Sequence, residues 1–158
     1  WLKRIYLRDK VHDGPKMTGT AYRVPNRPVS PGEKVDKKDF VIIERMPVKS
    51  LITSPMTNSE SSRSLEVRGH AWSGDRTVDA VDISMDFGAS WQRATLDAPV
   101  NDGAWQNWRI NLDFPEAGYY EVWARATDSA GEMQPFAINW NPKGYLNNTM
   151  HRVAVRVA

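Results

Sequence analysis

Few side chains in this sequence have the types and spacing that chemistry needs. His12, His70 and His151 stand far apart, with no ligand spacing to one another or to a carboxylate pair, so they read as packing or surface histidines. There is no cysteine, which removes thiolate nucleophiles, thiolate metal sites and disulfides together. No Gly-x-Ser-x-Gly elbow, phosphate loop or dinucleotide fingerprint occurs. Asp79, Asp82 and Asp86 fall mostly on the polar side of one alternating run, where a solvated face would put them. The chain thus reads as having no catalytic residue of its own. What remains is Pro142-Lys143-Gly144, a turn with a cation at its tip between two β segments, which aims one positive charge from a rigid frame.

Seven Trp and five Tyr are many for a domain of this size. Rings such as Trp105 and Trp123, if exposed, would suit stacking on a sugar, as in a stand-alone carbohydrate-binding or adhesive sandwich. Core filling and interface contact are commoner uses of aromatic rings. Asn147-Asn148-Thr149 has the spacing of an N-glycosylation acceptor, which matters only in a secreted eukaryotic chain.

The elements that must position these residues are strands. Leu65, Val67, Gly69 and Ala71 alternate with Glu66, Arg68 and His70, and Val81, Ile83 and Met85 with Asp82, Ser84 and Asp86. The pattern returns in Trp108 to Phe114, in Tyr120 to Ala126, where Glu121, Trp123 and Arg125 take the polar side, and in Val153 to Val157. Alternation puts one side chain inside and the next in water, so each run predicts a half-buried antiparallel strand. Six or seven such strands, punctuated by Ser73-Gly74-Asp75, Asp102-Gly103, Ala117-Gly118 and Ala130-Gly131, predict an all-β, immunoglobulin-like β-sandwich. Residues 1–39 show no period, and Pro25, Pro28 and Pro31 exclude a helix there. We read 1–39 as an extended, turn-rich N-terminal arm or linker and 40–158 as the sandwich, with Phe40-Val41-Ile42-Ile43 opening its β runs.

At 158 residues the chain is long enough to close one core. No apolar run approaches the roughly 18 residues that span a bilayer, so no membrane partner is expected. Residues 1–50 carry twelve Lys and Arg against six Asp and Glu, and residues 51–158 nine against thirteen. The basic half either meets an anion or balances an acidic neighbour. Its cations are scattered and not interleaved with stacking rings, which argues against nucleic acid.

Ser84-Met85-Asp86-Phe87-Gly88-Ala89-Ser90-Trp91 fits the Asp-box pattern seen in sialidase-like propellers. A propeller needs the box in several blades, and it occurs here once. We therefore read it as a hairpin device: Asp86 accepts turn N–H bonds, Gly88 takes positive φ, and Trp91 covers the turn.

Five segments in order resemble the C-terminal domain of the sulfite oxidase family of molybdopterin-dependent oxidoreductases. They are Trp1-Leu2-Lys3-Arg4-Ile5; Pro47-Val48-Lys49-Ser50-Leu51-Ile52-Thr53-Ser54-Pro55; Gly69-His70-Ala71-Trp72-Ser73-Gly74; the Val81 to Trp91 hairpin; and Trp140 to Asn148 with His151-Arg152-Val153. The resemblance implies a domain that mediates homodimerisation of a larger enzyme. An upstream domain would hold molybdopterin through a cysteine thiolate, oxidise sulfite to sulfate and pass electrons to a haem or cytochrome c. This chain has no cysteine, so no cofactor is expected to be bound by it, and the catalytic half is expected outside these residues. The resemblance further implies that Lys143, aided by Arg152, faces the substrate anion; the family's animal and plant members carry Arg at the Lys143 position. Lys is a point charge without the guanidinium fork. A periplasmic parent enzyme is the expectation from bacterial members.

Overall fold

Period-two alternation is the local signal from which most of the architecture is built. The computed structural model describes residues 1–14 and 16–158, and eleven strands occur among them. They belong to two compact units: Trp1–Glu44 with Asn139–Tyr145, and Arg45–Ile138 with Leu146–Ala158.

In the first unit β1 (Arg23–Pro25) pairs antiparallel with β2 (Phe40–Ile42), Val24 lying opposite Val41. One 3-10 turn at Lys37–Asp39 leads into β2. The N–H of Ile43 donates to the carbonyl of Tyr22 at 3.1 Å, and the Tyr22 ring stacks on Tyr145 at 5.9 Å. Phe40–Ile42 was expected to open the sandwich. It pairs with β1 instead, because Pro25 and its neighbours are extended and offer a ladder close in sequence, while Pro47 interrupts the run towards the next strand.

The second unit is a sandwich. One sheet runs β3 (Lys49–Ser54), β5 (Ser64–Trp72), β9 (Gln106–Asp113), β8 (Thr95–Leu96) in spatial order. The other runs β4 (Ser59–Ser61), β11 (His151–Val157), β10 (Gly118–Asp128), β6 (Val78–Ser84), β7 (Gln92–Arg93). Neighbours are antiparallel, apart from β4, which runs parallel to β11. The alternating residues meet between the sheets: Val67, Trp108 and Leu112 from one, Val81, Ile83, Val122 and Val155 from the other. Each such side chain contributes about 1.5–3 kcal/mol by leaving water.

One detail marks the immunoglobulin-like build and another its tight packing. The Tyr120 hydroxyl donates to the carbonyl of Glu116 at 3.0 Å, four residues upstream, a tyrosine corner at the start of β10. Gly69 lies where β3, β5 and β9 meet, and a Cβ there would come within 1.9 Å of the Leu51 carbonyl oxygen and 2.5 Å of the Trp108 ring. Only a residue without a side chain fits.

Alternation fails at two positions on the outer face of the five-stranded sheet. Ser84 and Trp123, expected on the polar side, are buried, Trp123 being only 7% exposed. Ser84 turns its hydroxyl into the following hairpin, and Trp123 is covered by the rings of Phe87 and Phe136. Opposite β10, the register slips between Ala80 and Val78, so Asp79 sits in a bulge.

Candidate functional site

Lys143 stands in a turn braced by one side chain. The carboxamide oxygen of Asn141 accepts from the N–H groups of Lys143 (3.1 Å) and Tyr145 (3.2 Å), and its NH2 donates to the Tyr145 carbonyl at 2.9 Å. Gly144 takes φ +67°, which the turn requires and which costs Gly little. Tyr145, the far end of the turn, is the ring that stacks on Tyr22. The Lys143 side chain is exposed, and among the described residues it makes no ion pair. Backbone order with an unpaired exposed ammonium is what an anion-facing cation needs.

Asn141 is the residue that shapes this turn, and its part in it was not singled out from the sequence. Its signal was local: Asx side chains bond their own backbone two residues on.

The loop carrying this turn leaves β10 and returns to β11, and its stems are pinned inside the sandwich unit. Gln134, 1% exposed, accepts at Oε1 from the Ala126 N–H (2.8 Å) and the Ser50 hydroxyl. Its NH2 donates to the carbonyls of Asn148 (3.2 Å) and Thr149 (3.1 Å). Asn148 in turn donates to the Val48 carbonyl at 3.2 Å, and the Met150 N–H to the Pro135 carbonyl at 3.0 Å. Asn147, the acceptor of the glycosylation tripeptide, is exposed and accepts from Thr149.

Arg152 belongs to the sandwich unit, on the outer face of β11. Its guanidinium lies 5.5 Å from the centroid of Trp123 and 5.4 Å from that of Phe136. Lys143 belongs to the other unit.

The histidines serve structure. The Ile52 N–H donates to Nδ1 of His151 at 3.0 Å, tying β3 to β11, and burial, helped by nearby Lys49, pushes the His151 pKa down. His70 stacks on the exposed ring of Trp105 at 5.3 Å, and Nδ1 of His12 accepts from the Gly14 N–H at 2.8 Å. Among the described residues no three His, Cys, Asp or Glu side chains converge on a metal-sized space.

The carboxylates are also tied up. Asp86 accepts from the Ser90 hydroxyl, the Ser90 N–H (2.9 Å) and the Ser84 hydroxyl (2.7 Å), which together lower its pKa to about 2. Gly88, at φ +85°, accepts from the Trp91 indole N–H at 3.1 Å, so the single box is a braced hairpin. Burial alone would push Asp128 up. The Ala130 and Glu132 N–H groups, Arg76 and Ser73 outweigh it and hold the carboxyl below the usual range. Arg76 borders an open polar cleft of about 570 Å³, lined also by Asp75, Asp102 and Ser129, yet its charge is already matched by Asp128 and Glu132.

Residues 40–158 match the model of the family described as "Mo-co oxidoreductase dimerisation domain". The chain belongs to that family. It is 35% identical to the mitochondrial sulfite oxidase of Drosophila melanogaster, over 99% of this chain and 30% of that protein. The mitochondrial sulfite oxidase of Homo sapiens is 37% identical over 80% of this chain and 25% of its own length. An inducible NADH nitrate reductase of Glycine max is 29% identical over 99% of this chain and 20% of its own. Among solved structures, the sulfane dehydrogenase SoxCD of Paracoccus pantotrophus superposes with a TM-score of 0.65 at 26% identity, covering 85% of this chain and 34% of that one. The chain thus spans about a third or less of the relatives it matches.

For a Mo-co oxidoreductase dimerisation domain the chemistry of the donor set is informative. Without cysteine, and with its histidines and carboxylates hydrogen-bonded or scattered, this chain offers nothing that fits a thiolate-held molybdenum.

Proposed function

We propose that this domain pairs two copies of a molybdenum-cofactor enzyme that oxidises sulfite to sulfate, and lends Lys143 to the anion site of the catalytic domain that precedes it. The observation that carries the reading is the Asn141-braced turn, which orders the backbone around an exposed, unpaired Lys143 in a member of a Mo-co dimerisation family. The sulfite oxidases among the relatives favour sulfite as the anion. Molybdopterin is held by the preceding domain, and electrons leave to a haem or cytochrome c. A periplasmic parent enzyme is part of this proposal, and fractionation of the source cells tests it directly.

An ammonium contributes Coulomb attraction and up to three donors to a bound oxyanion, without a bidentate fork. It acts on binding and leaves the redox step to the cofactor. In the full-length enzyme Lys143→Ala is expected to raise KM for sulfite about tenfold, with kcat and oligomeric mass little changed. Lys143→Arg is expected to restore or lower KM. An unchanged KM in Lys143→Ala overturns the assignment. Arg152→Ala, measured beside it, tells whether that guanidinium also serves the anion or only the aromatic face that it covers.

A further inference from the structure

The two sheets of the sandwich present different outer faces. On β5 and β9 the outward side chains form a polar ladder, with Arg68 in register with Arg109 and Glu66 with Asn111. On the five-stranded sheet the centre is aromatic. Trp123, in the middle of β10, stands in register with Arg152 on β11 and Ser84 on β6. Phe136 leans on its ring at 5.3 Å, Phe87 meets it edge-on at 6.1 Å, and the Arg152 guanidinium lies above it. Phe136 is 57% exposed and Phe87 61%. Phe87 moreover holds φ +59°, a left-handed conformation that is strained for an aromatic residue.

Two exposed rings and a guanidinium gathered round a covered Trp have the composition of an interface core, which is enriched in aromatics and Arg and poor in Lys. The sandwich unit contains a single lysine, Lys49, and it lies on the other sheet, beside Trp72. Lateral strand pairing is a poor alternative on this sheet, because its edge strands β4 and β7 have three and two residues. Charge of both signs lies around the rings, Asp82 already paired with Arg93 and Arg125 and Glu121 bonded to Trp123, so two copies can meet across a two-fold axis without a surplus of either sign. The family is named for dimerisation, so the occupant that these features call for is a second copy of the same chain.

We propose that the outer face of the five-stranded sheet, centred on Trp123 with Phe87, Phe136 and Arg152, is the surface through which two copies pair. The proposal rests on the pairing stated under Proposed function and adds where it occurs.

The test is the dimer dissociation constant of the full-length protein by sedimentation, for wild type, Phe136→Asp, Phe87→Asn and, as a control away from this face, Trp105→Asp, whose exposed ring stacks on His70 of the opposite sheet. Phe136 lies outside the strands and is exposed, and Asn tolerates positive φ at position 87, so both face variants keep the fold. Near-UV circular dichroism and melting temperature verify it. A dimeric wild type, weakened about thirtyfold or more by each face variant and unchanged by Trp105→Asp, is the expected result. A dimer that both face variants leave intact overturns this face while leaving the pairing in place. A wild type that stays monomeric at every concentration overturns the pairing itself.

Discussion

The hydroxyl of Ser50, on β3, donates to Oε1 of Gln134, on the loop after β10, inside a core where neither side chain is more than 1% exposed. The same oxygen takes the Ala126 N–H of β10, and the Gln134 NH2 holds two carbonyls of the returning loop. One buried carboxamide therefore joins both sheets to the stems of the Lys143 loop, with every hydrogen-bonding site that it offers in use.

Gln134→Leu removes this junction and leaves the Ala126 N–H and the Asn148 and Thr149 carbonyls to find other partners. Each unsatisfied buried group costs about 1–3 kcal/mol, so the variant is expected to lose about 3 kcal/mol or more in urea unfolding. Ser50→Ala, which removes one donor and leaves Gln134 its other partners, is expected to lose about 1 kcal/mol.

Gly69→Ala places a methyl where the Leu51 carbonyl and the Trp108 ring already are. Neither can withdraw, the first being backbone in a ladder and the second a core side chain 1% exposed. Destabilisation of about 3 kcal/mol or more is expected, seen as a melting temperature lower by roughly 6 °C or more. Gly103→Ala is the comparison: at φ +77° but with open space around it, it should cost only about 1–2 kcal/mol from backbone strain.

Asn141→Ala removes the three hydrogen bonds that shape the Lys143 turn while leaving the lysine in place. In the full-length enzyme it is expected to reproduce most of the KM rise of Lys143→Ala with an unchanged thermal midpoint. Asn141→Asp keeps the acceptor for Lys143 and Tyr145 and should fall between the two. A KM equal to wild type in Asn141→Ala would show that the turn's order is irrelevant to the anion.

Asp86, Asp128 and His151 give stability a pH dependence of the same sign. Asp86 titrates near 2 in the fold against an ordinary value of 3.8, so its contribution is present above about pH 4 and disappears as pH falls towards 2. His151 has its pKa lowered from 6.5, chiefly by burial, so the folded chain binds fewer protons than the unfolded one below that value and loses stability as pH falls through it. Melting temperatures from pH 8 to 2 should decline in two steps. Asp86→Asn is expected to reduce the lower step, leaving the part that Asp128 contributes, and His151→Gln to flatten the upper one.

Much of the sandwich was legible because side-chain period is local. Val67 and Ala71, Leu112 and Phe114, and Val153 and Val155 alternate with charged or polar neighbours, and they are buried as that alternation requires. The hairpin from Ser84 to Trp91 was legible for the same reason, its donors and acceptors lying within seven residues of one another. β4 was not legible: Ser59–Ser61 has no apolar signal and exists as a strand because β11 offers it a parallel edge.

By itself the sequence determined the all-β class, the positions of the long strands, the Pro-Lys-Gly turn with its cation, and the absence of any thiolate, because each depends on residue identity or on neighbours a few positions apart. Tertiary structure alone decided which outward residues leave water. Trp123 follows the polar phase of its strand, yet Phe87 and Phe136 arrive from separate loops to cover it and Arg152 from the next strand. It likewise decided that Ser50 and Gln134, 84 positions apart, share a hydrogen bond, and that Tyr22 and Tyr145 stack at the Lys143 turn. The physical reason is common to all three: burial and long-range pairing belong to surfaces that the folded chain brings together, and no period along the sequence encodes them.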